Sequence, residues 1–195
     1  METDTEQITS PMAVAVCAQV HLEKASRKLL RDDLTAIAFI RLLADTGSFG
    51  DAVRVLAHLL PQRESVWWAC QCARQTPLPD APPELDAAVL AAEKWVAEMT
   101  EESRRAAGDA GKEAEISTAA GCAAYAAFST GGSISPPDAQ PVAPPPGLTA
   151  QYVAASILIS ALVPNPEAAP DKYRLFIAQG IEQYKSVTSQ QQSSG

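Results

Sequence analysis

Histidine is nearly missing from this 195-residue chain, and that scarcity narrows its chemistry at once: only His21 and His58 are present. Serine and cysteine nucleophiles normally need an imidazole base, so acyl-transfer machinery of the usual kind has little to build on. Aromatic residues are also few, at 6% of the chain. Basic residues are outnumbered, 15 Lys and Arg against 23 Asp and Glu, for a formal net charge of -8. A nucleic-acid footprint needs the opposite balance and is excluded as an expectation. The longest apolar run, Tyr152 to Val163, is interrupted by Ser156 and Ser160 and is shorter than the ~20 residues of a membrane span. The first thirty residues show no basic start followed by an apolar core, so neither membrane insertion nor export is expected, and the cytoplasm is the expected location. Cys17, Cys70, Cys72 and Cys122 then read as reduced thiols.

No run with strand-like alternation stands out; Met12 to Val16 alone is ambiguous. What is abundant is alanine, 36 residues, which favours close-packed helices. Ser10 followed by Pro11 reads as a cap and first-turn proline for Met12 to Val20, with a shorter segment near His21 to Leu30. An apolar face from Leu34 to Leu43 stops at Gly47, and Ser48 with Asp51 resembles a capping box with a shortened acid. Asp51, Arg54 and His58 then form a polar stripe on Phe49 to Leu60. Pro61 opens a helix carrying Trp67 and Trp68, which the passage Pro77 to Pro83 ends.

The clearest helix follows, with Leu85, Ala88, Val89, Ala92, Trp95, Val96 and Met99 at helical spacing. Thr100 caps the next, with Glu101 and Glu102 in its first turn, and Ser117 or Thr118 caps another that runs to Gly131. Ser129 to Gly147 is a Pro/Gly-rich strap ahead of the last two helices, Leu148 to Val163 and Asp171 to about Val187. The expected fold is all-α: a compact helical bundle or short irregular helical array of about eight or nine helices. Residues 10–188 form a single domain between a disordered N-terminus, 1–9, and a disordered tail, 189–195.

Each candidate site has a plain reading beside the chemical one. Cys17 and His21 stand four apart, as a nucleophile and base on one helical face would, but lack a third orienting group. His58 reads as a surface imidazole near a helix C-terminus. Cys70 and Cys72 diverge on a helix and cannot grip one metal together. The pairs Asp32-Asp33 and Glu101-Glu102 sit where helices begin and compensate the dipole. Gly131-Gly132-Ser133 is a helix-ending turn rather than an anion cradle, because no strand or phosphate-loop lysine accompanies it. No catalytic, cofactor-binding or metal-binding residue is therefore assigned.

Protein contact is the function class left. Its candidate residues are Trp67, Trp68, Trp95, Tyr125, Phe128 and Tyr152, each with core packing as the alternative. Trp67 and Trp68 point in different directions, so at least one is a candidate for the surface. Ile116 to Pro166 holds one charged residue, Asp138, and reads as a strap laid over the helices and, compatibly, as a neutral docking surface. The acidity concentrates in Gln62 to Glu115, with 6 basic and 11 acidic residues.

The segments HLLPQRESVWWACQCAR, AAEKWVAEMTEESRRAA, AAYAAFSTGGSISPPD and PPPGLTAQYVAASILI together resemble an uncharacterised bacterial family of unknown function. The resemblance extends over about residues 34 to 180, and its marks are the Val-Trp-Trp core and the Gly-Gly-Ser and proline passage. It implies association with type VI secretion gene clusters. The role implied is that of a non-enzymatic adaptor or co-chaperone that binds an effector, its loading adaptor or a spike protein. An immunity protein neutralising a basic toxin is the alternative. The family carries no assigned catalytic residues, so none is transferred.

Overall fold

In a computed structural model, residues 10–78 and 80–193 are described. They form ten α-helices in the order α1 (Ala13–Cys17), α2 (Lys24–Arg27), α3 (Ala36–Asp45), α4 (Phe49–Leu59), α5 (Gln62–Arg74), α6 (Pro83–Glu98), α7 (Glu101–Ala114), α8 (Ala119–Phe128), α9 (Leu148–Leu162) and α10 (Ala169–Ser193). Among the described residues there is no strand, only an isolated bridge between Met12 and Thr35. The architecture is the expected all-α one, a compact helical array.

Helices α5, α8 and α9 make the centre. α6 and α7 cover one flank; α3, α4 and α10 cover the other. Composition explains this layering. Neither α8 nor α9 contains a charged residue, and small side chains let them approach: Ala120, Cys122, Ala123, Ala124, Ala126 and Ala127 of α8 are all buried. At Gly121 an added Cβ would lie 2.0 Å from the Glu115 carbonyl oxygen, so the α7–α8 connection can close only over glycine.

The capping signals hold at three places. Thr100 accepts from the Ser103 amide while the Ser103 hydroxyl accepts from the Thr100 amide, a reciprocal box. Thr118 accepts from the Gly121 amide, and Gly47, at φ +78°, follows the end of α3. Two other expectations are corrected. Ser10 does not cap α1: its hydroxyl accepts from the Ile37 amide at 3.4 Å, while Pro11 accepts from Ala36, tying the chain start to α3. Ser48 makes no side-chain cap, and Asp51 is buried rather than part of a polar stripe, accepting from the Glu23 amide at 3.0 Å and from Arg54 at 2.6 Å.

The last helix runs further than expected. α10 continues to Ser193 where a disordered tail from residue 189 was anticipated; glutamine is a good helix former, and no proline or glycine stops the chain before Ser193. The expectation for residues 1–9 lies outside the described residues, as do positions 194–195. Gly180 lies inside α10, where glycine ordinarily weakens a helix, and it is needed there. A Cβ would meet Leu56 Cδ2 at 2.7 Å and Trp68 Cε2 at 2.8 Å, so the glycine is the seat of a buried indole.

Candidate functional site

Of the six predicted contact residues, the structure leaves one well exposed. Trp68 is completely buried between α5 and α10, with its indole N–H donating to the Phe176 carbonyl at 2.9 Å. Trp95 is buried in the core as well. For these two the contact reading is corrected: they hold helices together and have no surface to offer.

Tyr125, Phe128 and Tyr152 are half-buried and engage one another. Tyr125 and Tyr152 stack at 5.5 Å between α8 and α9, and Tyr125 meets Phe128 edge-on at 6.1 Å. Arg104 lies over the Phe128 ring with its guanidinium carbon 4.8 Å from the centroid. Burial pushes the Tyr152 hydroxyl's pKa up, as do the neighbouring Tyr125 and Cys122.

Beneath this cluster the strap is fastened. Arg104 is buried and bidentate to Glu101 at 2.6 and 2.7 Å, and it also donates to the carbonyls of Phe128 and Ser133. Arg105 donates to Glu101 at 2.9 Å and to the Ser135 carbonyl at 2.6 Å. Gly132, at φ +62°, sits where a Cβ would lie 2.9 Å from Arg104 Nη2. The Gly-Gly-Ser turn is therefore the seat of a guanidinium at the carbonyl end of α8, where a cation is favoured by the helix dipole.

The strap's far end is fixed too. Thr149 donates to the Ser129 carbonyl at 2.9 Å, and Gly147 packs against the His58 ring. His58 is not the surface imidazole expected. Its Nδ1 pairs with the Arg54 carbonyl at 2.9 Å, and its Nε2 is buried without a partner. Between the two anchorages Pro136 to Ala143 is exposed. In the charge-poor stretch the helices are core and the middle is an exposed strap, an arrangement compatible with both readings.

The thiols are sequestered. Cys17, Cys70, Cys72 and Cys122 are free and buried. Burial pushes Cys17 and Cys122 up to about 11; at Cys70, where the nearby Glu93 carboxylate adds to burial, the value is about 12. Nucleophilic thiolates are thereby disfavoured at neutral pH. α1 ends at Cys17, so the helical spacing that would stack exposed His21 over it is not kept. Among the described residues no group of three or more His, Cys, Asp or Glu side chains is placed to hold a metal.

Trp67 is the exception among the six, with 38% of its surface exposed one residue before a wholly buried tryptophan. Two shallow grooves meet at its ring. One, of about 320 Å³, runs between α5 and α6 and includes Glu93 and Val96; the other, of about 610 Å³, runs between α5 and α10 and includes Gln71 and Glu182. Glu64, Trp67 and Gln183 border both. Glu64, Trp67 and Gln71 follow one face of α5 at i, i+3 and i+7, a spacing legible in the sequence alone. The share of α10 was not legible, because it depends on where that helix packs. A separate apolar cleft of about 300 Å³ lies beside Leu78, Leu85, Val89 and Ile159.

Residues 39–183 match the family model of DUF6931, described as a family of unknown function. The chain belongs to DUF6931. The match starts within α3 and ends within α10, so in this DUF6931 chain it takes in the three central helices, the strap and the whole α5 face that carries Trp67. No curated protein and no solved structure matches the chain.

Proposed function

We propose that this DUF6931 protein is a non-enzymatic accessory protein that binds another protein through the groove surface around Trp67. The observation that carries the reading is the contrast within α5. A large indole is left partly at the surface between two grooves that have room for a partner's side chains. The sequestered thiols and the half-buried His58, whose Nε2 is enclosed, support a non-enzymatic role.

The setting we propose is the cytoplasm of a bacterium with a type VI-like secretion system, with the protein acting as adaptor or co-chaperone for an effector, its loading adaptor or a spike protein. That setting rests on the sequence resemblance. No single helix among the described residues is long and apolar enough to cross a membrane. An immunity protein that occludes a basic toxin is the second reading, favoured by the acidic excess of Gln62 to Glu115.

Deletion of the gene separates the two. Loss of effector export without self-intoxication supports the adaptor; death of the strain only when a neighbouring toxin is present supports the immunity protein. Tagged wild type and Trp67→Ala are then compared by pull-down from the native cytoplasm and mass spectrometry. A partner recovered with the wild type and lost with the variant is expected. Equal recovery of that partner by both rejects the Trp67 surface.

A further inference from the structure

The chemistry around Trp67 is uneven, and the unevenness narrows the kind of side chain that fits it. Three carboxylates, Glu64, Glu93 and Glu182, line the two grooves that meet at the indole. Two of them have close partners of their own. Glu93 is bidentate to Arg74 at 2.6 and 2.8 Å, and Glu182 pairs with Lys185 at 2.7 Å. Glu64 differs. Its ion pair is a long one, 4.0 Å to Arg63, whose Nε is already directed to the Val96 carbonyl at 2.8 Å. A carboxylate offers about four lone-pair sites, so Glu64 retains acceptor capacity beside the indole. Gln183 donates to the Glu64 backbone carbonyl at 2.8 Å and so braces this turn of α5 from α10.

A negative group with spare acceptor capacity, three residues from an exposed indole on the same helical face, matches a guanidinium. The flat cation stacks on the ring while its N–H groups donate to the carboxylate. We infer that the Trp67 groove receives an arginine of a partner protein, presented on a basic segment, with the guanidinium over the Trp67 ring and paired to Glu64. This rests on the protein-binding reading above and adds the chemistry of the partner. The acidic excess of Gln62 to Glu115 complements such a segment at longer range.

The test uses hexa-arginine, hexa-lysine and hexa-glutamate peptides titrated into the full-length ¹⁵N-labelled protein. The three indole N–H signals of Trp67, Trp68 and Trp95 are followed by NMR and assigned with Trp67→Leu. Hexa-arginine is expected to move the Trp67 indole signal saturably and the two buried indoles hardly at all, to bind more tightly than hexa-lysine, and to leave hexa-glutamate without effect. Glu64→Gln and Trp67→Leu are each expected to weaken hexa-arginine binding about 3-fold. Because Trp67 is exposed and Glu64→Gln is nearly isosteric, the unchanged dispersion of the remaining signals shows that both variants fold. Hexa-arginine shifts spread over α6 and α7 with an unmoved Trp67 indole, or equal binding by wild type and Trp67→Leu, overturn the inference. If that happens while Trp67→Ala still loses its partner in the pull-down, the arginine assignment falls and the protein-binding reading stands.

Discussion

Helices α8 and α9 contain no charged residue and lie at the middle of the molecule, whereas α6 and α7 are densely charged and hold its outside. In the sequence both charge-poor helices and a charge-poor docking surface look alike, because each is a run of small and apolar side chains. Packing separates them. The charge-free helices are enclosed by their neighbours, and the candidate contact surface lies instead on α5, which is amphipathic and carries a buried and an exposed tryptophan side by side. Absence of charge marked burial here, and an apolar residue amid polar neighbours marked the surface.

The sharpest way to break this comparison is to put one charge on each side of it. Ala123 of α8 is wholly buried in the charge-free centre of the molecule. Ala123→Glu is expected to abolish the cooperative thermal transition, because an unpaired buried carboxylate costs several kcal/mol, a large part of a domain's total stability. Leu90 of α6 is 51% exposed, and Leu90→Glu is expected to stay within about 0.5 kcal/mol of wild type. Melting followed by circular dichroism distinguishes the two, and similar loss at both positions defeats the layering argument.

Trp68→Ala comes next in size. It removes a buried indole, its hydrogen bond to Phe176 and the filling of the space at Gly180, for an expected loss of about 3–5 kcal/mol in urea denaturation. Refilling the site from the other side is also unfavourable. Gly180→Ala is expected to cost about 1–3 kcal/mol, since the added methyl meets both Leu56 and Trp68.

Much of this framework was legible from local rules. Helical periodicity located α3 to α10, and Thr100, Thr118 and Gly47 mark their ends, because caps are satisfied within a few residues. The errors occurred where a polar group found a distant partner. Ser10 reaches α3, Asp51 reaches the Glu23 amide, and His58 packs against Gly147, none of which spacing along one helix reveals. Met99 continues the apolar stripe of the sequence, yet it is the left-handed cap of α6 and stands exposed. For the candidate site, the contribution of α5 was available as an i, i+3, i+7 face. The contributions of α6 and α10 required the fold, and so did the choice between Trp67 and Trp68.

The strap supplies predictions of intermediate and smaller size. Arg104→Met removes the hydrogen bonds to Phe128 and Ser133 while keeping much of the side-chain volume; a loss of about 2 kcal/mol is expected. Hydrogen exchange should quicken at Ile134 and Val142, whose amides close the strap, and remain slow in α9. Glu101 adds a pH dependence. Arg104, with Arg105 assisting, holds its carboxyl at about 2 against an unperturbed 4.5, so the pairing stabilises the folded state fully above pH 4.5. That contribution fades as pH falls from 4.5 through about 2. Because the Glu101 side chain is largely exposed, less than about 1 kcal/mol is expected. Glu101→Gln should accordingly be less stable than wild type at pH 6 and converge with it near pH 2.

A small stability effect at Trp67 sharpens the comparison most. Trp67→Ala adds a good helix former to the exposed face of α5 and removes a ring that makes no buried hydrogen bond in the core. A loss of about 1 kcal/mol is expected, because most of the indole surface is covered, yet this is several-fold smaller than at the adjacent position. The two alanine variants, measured in the same denaturant series, therefore test whether neighbouring tryptophans divide structure from contact. If Trp67→Ala destabilises as much as Trp68→Ala, the indole is structural after all and its exposure carries no functional meaning. If Trp67→Ala loses its partner at so small a cost in stability, the surface of α5 is maintained for binding rather than for the fold.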